Sequence, residues 1–270
     1  MKIIEIANGT EKIEDYEYSD IRDLEEVYIP HSVRWVGKHA FYNCRALKKV
    51  SICGDLFQIQ DGVFKNCDEF HYAEIYAIQG KTACLKNIVA DISHEITLLI
   101  HYEDGDARLL IPSYGYDFEF NINSRIFHEV ECGAGAAYHR CIDKPELNFS
   151  AYDFLLEVAK REENMETVFS IAENRLLYPY HLEERNRIKY EGYLEEHAKD
   201  YIREKICQNH QQGLRLAGDL KLYREEDMED YLALANEKQH IQAMAFLMSY
   251  RQKHFSHVLE DIDKDFDFDF

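Results

Sequence analysis

The sequence of 270 residues lacks a long hydrophobic segment and lacks an N-terminal stretch of the signal-peptide type. A helix that spans a bilayer needs ~18 or more consecutive apolar residues. A secretory signal needs an apolar core followed by a cleavage site of small residues. Because neither pattern is present, we expect no membrane partner and a cytoplasmic location.

The seven cysteines form no CxxC pair and no other short spacing of metal ligands. Free thiols without a secretion signal are typical of a reducing compartment, which also favours the cytoplasm. HExxH, GxSxG and P-loop motifs are absent as well. His254 and His257, with Glu260, have a spacing that could bind metal, but two histidines at the end of an acidic helix are more often surface residues. We therefore expect no enzyme, no cofactor and no metal.

Positive charge is scarce, since 31 lysines and arginines face 51 acids and the net charge is −20. A chain this acidic repels phosphates, so the charge predicts no nucleic-acid partner. Residues 1–95, 96–150, 151–259 and 260–270 each contribute −5. The last segment packs six acids into eleven residues, but the even spread over the first three segments argues against an acidic mimic that occupies a nucleic-acid-binding protein, because such a mimic concentrates its charge on one face.

One pattern of residue types occurs twice between Val27 and Ile75, and equivalent positions are 23 residues apart in the sequence. The paired positions are Val27/Val50, Ile29/Ile52, Val33/Leu56, Val36/Ile59, Ala40/Val63, Phe41/Phe64, Asn43/Asn66, Cys44/Cys67 and Leu47/Phe70. A fixed period of this length is typical of a solenoid. The V-x-I segments predict short strands stacked into a parallel sheet, and Cys44 and Cys67 should be buried neighbours. The repeat extends backwards in degenerate form from Ile4 to Leu24 and fades after Ile75, where Lys86 and Asn87 replace an apolar pair.

The segment Leu24 to Leu47 has the form L-x-x-V-x-I-P-x-S-V-x-x-V-G-x-x-A-F-x-N-C-x-x-L, which closely resembles the BspA-type leucine-rich repeat. The resemblance covers the first third of the chain and implies an interaction module. It also implies an alternative function, because relatives of this repeat are often adhesins on bacterial or protozoan surfaces.

Residues 96–149 are predicted to form a β-rich connector. Ile96–Tyr102 and Arg108–Ile111 flank a turn at Glu103–Ala107 and read as a β-hairpin that continues or caps the solenoid. Residues 116–120 and 126–130 could add two strands. The Gly-x-Gly within Cys132–Ala137 lacks the other parts of a dinucleotide fingerprint, so we expect a flexible loop of small residues. An unrecognised enzyme site between Cys132 and Cys141 is the second alternative function.

Residues 150–259 are predicted to be helical. Ser150 and Asp153 resemble a capping box, and Val168, Ile171, Ala172 and Leu176 form an apolar stripe that ends at Pro179. Two final helices carry stripes at Met228, Tyr231, Leu232 and Ala235, and at Ile241, Met244, Ala245 and Met248. Leu232–Ala235, His240–Ile241 and Phe246–Leu247 resemble the helix pair of an ankyrin repeat, with Gln239 where glycine is usual. The resemblance implies an ankyrin-like hairpin-repeat domain.

Residues 260–270 alternate acids with apolar residues, and a solvated tail is the simplest interpretation. The functional alternative is a short motif in which Phe266, Phe268 and Phe270 insert into a groove of a partner or add a strand to a sheet edge.

The fold class is therefore α+β, with a short leucine-rich-repeat solenoid at residues 1–95, a small antiparallel β segment, a helical domain and a tail. The favoured function is a non-catalytic scaffold that binds protein partners. The 23-residue register points six side chains outward between the inward Val and Ile positions. These are Glu26, Tyr28, Lys49, Ser51, Tyr72 and Glu74. The identity of the partner and the oligomeric state are not predicted.

Overall fold

The computed structural model describes residues 2–54, 56, 58–121, 126–142 and 147–255, with the side chains of 116–131 excepted. The chain divides into two compact units, Met1–Tyr190 and Glu191–Phe270. The predicted residues His257, Glu260, Phe266, Phe268 and Phe270 lie outside the described part. No helix in the described ranges is long and apolar enough to cross a membrane.

The first unit is built on a sheet of six strands, in the order β1-β3-β5-β7-β8-β9. The strands are β1 (Lys2–Glu5), β3 (Leu24–Ile29), β5 (Lys49–Cys53), β7 (Tyr72–Tyr76), β8 (Ile96–Tyr102) and β9 (Gly105–Ile111). All neighbours are parallel except β8 and β9. Val27, Val50, Ala73 and Leu98 align across the sheet and are fully buried. The predicted parallel solenoid is confirmed.

A second parallel sheet of short strands consists of β2 (Lys12–Ile13), β4 (Trp35–Val36) and β6 (Gln58–Ile59). Between the two sheets, each repeat turns through left-handed backbone positions that recur at the same period. These positions, all with φ between 55° and 69°, are Tyr16, His39 and Gly62 in one series and Asp20, Asn43 and Asn66 in the other. Asparagine and glycine adopt this conformation at low cost, which explains their place in the repeat.

The core of the solenoid is a ladder of equivalent side chains. Phe41 stacks on Phe64 with 5.7 Å between ring centroids. Cys44 and Cys67 are buried, and their thiols donate hydrogen bonds to the backbone oxygens of Tyr18 and Phe41. Burial raises the pKa of Cys44 to about 11 and that of Cys67 to about 12. These thiols therefore behave as small core residues and not as nucleophiles.

The sheet continues beyond the point where the sequence repeat fades. Helix α1 (Cys84–Val89) occupies the fourth unit, and its Asn87 donates a hydrogen bond to the Ile59 oxygen at 2.7 Å. The extra residues lengthen this unit, so Ile75 pairs with Ile100 in β8, 25 residues later. The fading of the pattern at Lys86 and Asn87 thus marks a longer repeat and not the end of the stack.

The hairpin of β8 and β9 is present, but its turn differs from the prediction. Tyr102 pairs directly with Gly105, so the turn is Glu103–Asp104 and the second strand begins three residues before Arg108. Gly105 belongs to the strand through its pairing with Tyr102, and the Tyr180 ring lies 3.3 Å from where a Cβ of Gly105 would be. The connector residues therefore form the last two strands of the solenoid sheet.

The outer edge of β9 is covered. The Tyr152 hydroxyl accepts a hydrogen bond from the Leu110 amide at 3.1 Å and donates one to the Leu110 oxygen at 2.7 Å. Ala107 forms an antiparallel bridge with Pro179. Because an open edge invites pairing with another chain, these contacts protect the C-terminal side of the sheet.

Two more strands, β10 (Gly115–Asn121) and β11 (Ile126–Cys132), form a separate antiparallel pair. The expected loop at Cys132–Ala137 is wrong in part, since helix α2 (Gly135–His139) begins within it. Gly135 lies so close to the oxygens of Pro112 and Ser113 that a Cβ would collide with them. The glycines of this segment thus serve close packing, not flexibility.

Three helices complete the first unit before the boundary: α3 (Phe149–Phe154), α4 (Leu156–Glu162) and α5 (Met165–Leu177). The predicted stripe of α5 is buried as expected. The predicted capping box at Ser150 is wrong, because the Asn148 side chain accepts from the Ala151 amide and caps α3. Asp153 is instead buried and binds Arg175 of α5 through two hydrogen bonds of 2.8 and 3.1 Å.

This buried ion pair organises the loop after α5. Arg175 is fully buried and also donates to the backbone oxygens of Tyr178 and Tyr180. The Tyr190 hydroxyl donates to the same Asp153 carboxylate at 2.9 Å. A buried charge is tolerated only when it is paired and hydrogen-bonded, and here both charges are.

The second unit is helical, and α6 (Glu184–Glu196) crosses into it from the first. Its other helices are α7 (Ala198–Cys207), α8 (Gln211–Asp219), α9 (Met228–Glu237) and α10 (Ile241–His254). Helices α7–α8 and α9–α10 are equivalent pairs 30 residues apart, with identical residues at Asp200/Asp230, Tyr201/Tyr231, His210/His240 and Gln212/Gln242. The loop between α7 and α8 and the loop between α9 and α10 contain the same backbone hydrogen bond. The His210 amide donates to the Lys205 oxygen, and the His240 amide donates to the Ala235 oxygen.

The apolar stripe predicted for α10 is wrong in phase. Ile241 is 75% exposed and Met248 is 53% exposed, whereas Ala243 and Leu247 are fully buried. The 30-residue register explains the difference, because Ala243 and Leu247 are equivalent to the buried Gly213 and Ala217 of α8. The stripe predicted for α9 is buried at Met228, Tyr231 and Ala235.

Candidate protein-binding face

The six side chains proposed from the register lie together on one face of the six-stranded sheet, which we call the outward face. Glu26, Lys49 and Tyr72 align across β3, β5 and β7, and so do Tyr28, Ser51 and Glu74. Since side chains alternate along a strand, the buried Val and Ile residues force these positions to the opposite side.

Glu74 is the centre of the outward face. Its carboxylate lies 2.7 Å from the Lys49 amine, accepts from the Ser51 hydroxyl at 2.9 Å, and lies 3.0 Å from Nε2 of His101. Burial alone would raise the pKa of Glu74, but these three partners outweigh it and lower the pKa to about 2. Glu74 is therefore a fixed anion that ties three strands together.

His101 extends this network to the hairpin. Its Nδ1 lies 2.9 Å from the Asp106 carboxylate, and its ring stacks on Tyr76 with 4.9 Å between centroids. Burial lowers the pKa of His101, yet the hydrogen bonds to Glu74 and Asp106 raise it above the ordinary value of 6.5. An imidazole with a carboxylate at each nitrogen satisfies both only when both nitrogens carry protons.

Lys49 is held between two tyrosines. Its amine lies 5.8 Å from the ring centroid of Tyr28 and 5.5 Å from that of Tyr72. The Tyr28 hydroxyl donates to Glu26 at 2.8 Å, and this bond raises the pKa of Tyr28. The rings are thus fixed by contacts with charged neighbours, and little side-chain freedom remains to be lost when a partner binds.

The outward face also contains a recess and exposed apolar side chains. A recess of about 460 Å³ opens at the C-terminal ends of the parallel strands, lined in part by Tyr28, Ser51 and Tyr76. Tyr76 is 48% exposed and Ile78, at the rim, is 42% exposed. Tyrosine and apolar groups around a recess are the surface type that proteins use for binding hot spots.

The residues of the outward face that the register missed include Tyr76, His101, Asp106 and Arg108. Tyr76 follows Glu74 by two and shares its side of β7, while β8 and β9 carry His101 and Arg108 to the same side. The alternation in Ile96–Tyr102 was a usable signal. It was not connected to the repeat because α1 shifts the period from 23 to 25 residues.

The alternative site between Cys132 and Cys141 contains a thiol poorly suited to catalysis. Cys141 is buried, and burial raises its pKa to about 11. A larger recess of about 890 Å³ is lined by Tyr102, Phe149, Tyr180, His181 and Ser150, among others. Tyr102 and Tyr180 stack on each other at 4.1 Å. No hydrogen bond between Ser150 and His181 is present in the described ranges.

Within the described ranges, no group of three or more His, Cys, Asp or Glu residues could hold a metal ion. His254 stacks on Tyr250 with 4.3 Å between centroids. The structure thus assigns His254 a packing contact.

Comparison with known proteins agrees with the geometry of the first unit. A search of curated proteins found no match, and a search of solved structures found no match. Residues 1–83 match the family model of the BspA type leucine rich repeat region (6 copies). The N-terminal part of the chain therefore carries leucine-rich repeats of the BspA type, which suggest a role in protein interaction or adhesion.

Proposed function

We propose that the chain is a non-catalytic scaffold that binds a protein partner through the outward face. The observation that carries the proposal is the fixed set of Tyr28, Lys49, Tyr72 and Glu74, with charges and aromatic rings held in place on a rigid sheet. Binding surfaces gain affinity when their side chains are ordered before the partner arrives.

The test is affinity purification of the full chain from its source cell, followed by mass spectrometry. Tyr28→Ser and Tyr72→Ser together should remove the specific partner, because both rings and their contact with Lys49 are lost. Tyr16→Ser is the matched control, since Tyr16 is 55% exposed but lies on the turn before β3 and not on the outward face. The melting temperatures of both variants are measured alongside. If the double variant folds and retains every specific partner, the proposal is wrong.

The helical unit supplies a second contact surface in this proposal. The equivalent pairs α7–α8 and α9–α10, with their identical tyrosine and histidine positions, support the ankyrin-like interpretation. Repeats of this kind stack to give an extended surface, and exposed Ile241 and Met248 are apolar groups on it. Deletion of the α9–α10 pair should remove a different set of partners from those lost with the tyrosine variant.

A cytoplasmic location belongs to the same proposal. All seven cysteines are free thiols, which suits a reducing compartment. The acidic charge supports a protein partner over a nucleic acid. The alternative is a surface adhesin, which the match to BspA-type repeats favours. Protease treatment of intact cells separates the two, because an adhesin is digested and a cytoplasmic scaffold is protected.

A further inference from the structure

Arg108 occupies the outward face without a carboxylate partner. Among the described arginines that are not fully exposed, Arg175 pairs with Asp153 and Arg187 lies 3.6 Å from Glu184. Arg108 makes no hydrogen bond or ion pair within the described ranges, and its Nε is buried without an acceptor. A guanidinium is charged at every accessible pH, so its desolvation costs more than that of a neutral group.

The surroundings of Arg108 do not replace the missing anion. Its guanidinium carbon lies 5.9 Å from the ring centroid of Tyr178, a contact worth only about 0.5 to 1 kcal/mol. Glu74 is in the same row but two strands away, roughly 10 Å at ordinary strand spacing. The Glu74 oxygens are already bound to Lys49, Ser51 and His101.

The charge of Arg108 also acts on Tyr72 of the outward face. Burial raises the pKa of Tyr72, and the positive charge of Arg108 opposes that rise, which places the two groups within electrostatic reach. Arg108 thus presents a positive charge beside Tyr178 and within electrostatic reach of Tyr72, in a protein whose net charge is −20. An approaching carboxylate would meet a planar donor fork with the Tyr178 ring beside it.

We infer that Arg108 is the anchor of the outward face and that it takes an aspartate or glutamate side chain from an acidic segment of the protein partner. The inference rests on the proposed function and names the chemistry of the partner. The guanidinium fork binds a carboxylate through two parallel hydrogen bonds, which fixes direction as well as charge. The tyrosines of the outward face then contact the residues next to the acid.

The experiment selects binders of the full-length protein from a display library of random twelve-residue peptides. The peptides that require Tyr28 and Tyr72 should share an aspartate or glutamate at one position. Arg108→Gln should weaken their binding at least ~10-fold, the loss expected for a charged hydrogen bond. Replacing the shared acid by its amide in the peptide should cause a similar loss with the wild type and little further loss with Arg108→Gln.

Two further variants separate this role from a structural one. Arg108→Lys retains the charge without the fork and should fall between wild type and Arg108→Gln. Arg108→Met should leave the melting temperature unchanged or raise it, because the cation has no carboxylate partner to lose and removing it relieves a desolvation cost that offsets the weak contact with Tyr178. A clear fall in melting temperature for Arg108→Met would overturn the inference.

The outcomes also separate failure of this inference from failure of the proposed function. The selected peptides could lose affinity for the tyrosine variant but not for Arg108→Gln, or could share no acid. Either result contradicts the role of Arg108 as the anchor and leaves the proposed binding face standing. A library with no binder that depends on Tyr28 and Tyr72 contradicts the proposed function and the anchor with it.

Discussion

The imidazole of His101 bridges two strands of opposite direction, with Nε2 lying 3.0 Å from Glu74 and Nδ1 lying 2.9 Å from Asp106. Glu74 belongs to the last sequence-evident repeat, and Asp106 belongs to the antiparallel strand that ends the sheet. The bridge therefore joins the repeat part of the outward face to the hairpin.

This bridge predicts a defined pH window of stability. The pKa of His101 is raised above 6.5, so its contribution is full below 6.5 and is lost as pH rises through the raised value. The pKa of Glu74 is lowered from 4.5 to about 2, so its contribution is full above 4.5 and is lost as pH falls towards 2. Both groups contribute fully to the stability of the folded state only between pH 4.5 and 6.5.

His101→Gln should accordingly cost about 1 to 2 kcal/mol of unfolding free energy between pH 4.5 and 6.5, after allowance for screening by water. The cost should shrink as pH rises above 6.5. Urea unfolding of both proteins across pH measures it. In a Glu74→Gln background the same substitution should cost less, and an equal cost at every pH in both backgrounds would refute the bridge.

The covered edge of the sheet gives a second prediction. Tyr152→Phe removes the hydroxyl that binds both the amide and the oxygen of Leu110. Two buried backbone groups then lack partners, which should cost about 1 to 3 kcal/mol and promote aggregation. Tyr178→Phe is the control, since no hydrogen bond of its hydroxyl is present in the described part of the chain. Denaturant unfolding and light scattering should distinguish the two variants; equal stability would show that the hydroxyl does not seal the edge.

The buried ion pair of Asp153 and Arg175 gives a third prediction. Arg175→Met leaves the Asp153 carboxylate buried with only Tyr190 as a donor, so a loss of about 3 to 5 kcal/mol is expected. Arg187→Met removes a half-exposed pair at 3.6 Å and should cost less than about 1 kcal/mol. Thermal unfolding in the same buffer compares them. Similar losses in both would mean that the buried pair does not organise the loop after α5.

A fourth prediction concerns the connection between α9 and α10. Gln239 has a φ of 57°, a conformation that glycine adopts freely and glutamine does not. Gln239→Gly should raise the unfolding free energy by about 0.5 to 1 kcal/mol. Asn209 is the equivalent residue between α7 and α8, with a φ of 51°. Because asparagine tolerates this region, Asn209→Gly should be nearly neutral, and a larger gain there than at Gln239 would contradict the argument.

The repeat part of the fold was predictable because each unit presents the same pattern of buried residues. Val27 and Val50, like Phe41 and Phe64, are identical residues at equivalent positions of the repeat. The register that they define predicts which side chains point outward. The six proposed residues of the outward face follow from that register alone. Their mutual contacts do not, because the register gives no rotamers or distances.

The missed features depend on contacts between residues far apart in the chain. Asp153 and Arg175 are 22 residues apart, and nothing in either neighbourhood marks them as partners, so Asp153 was assigned to a cap. His101 and Arg108 could not be placed on the outward face from the 23-residue register, because α1 lengthens the unit that precedes their strands. The 30-residue helix repeat was detectable from Tyr201/Tyr231 and His210/His240, but few identities recur, and the apolar phase of α10 was misassigned without it.

The most direct test of the binding face is hydroxyl-radical footprinting of the full chain with and without a partner captured by it. Tyr28, Tyr72 and Tyr76 should lose reactivity in the complex, because a partner on the outward face shields their rings from solvent. Tyr16, which is 55% exposed and outside that face, should react equally in both samples. Unchanged reactivity of Tyr28, Tyr72 and Tyr76 in a saturated complex would contradict the account.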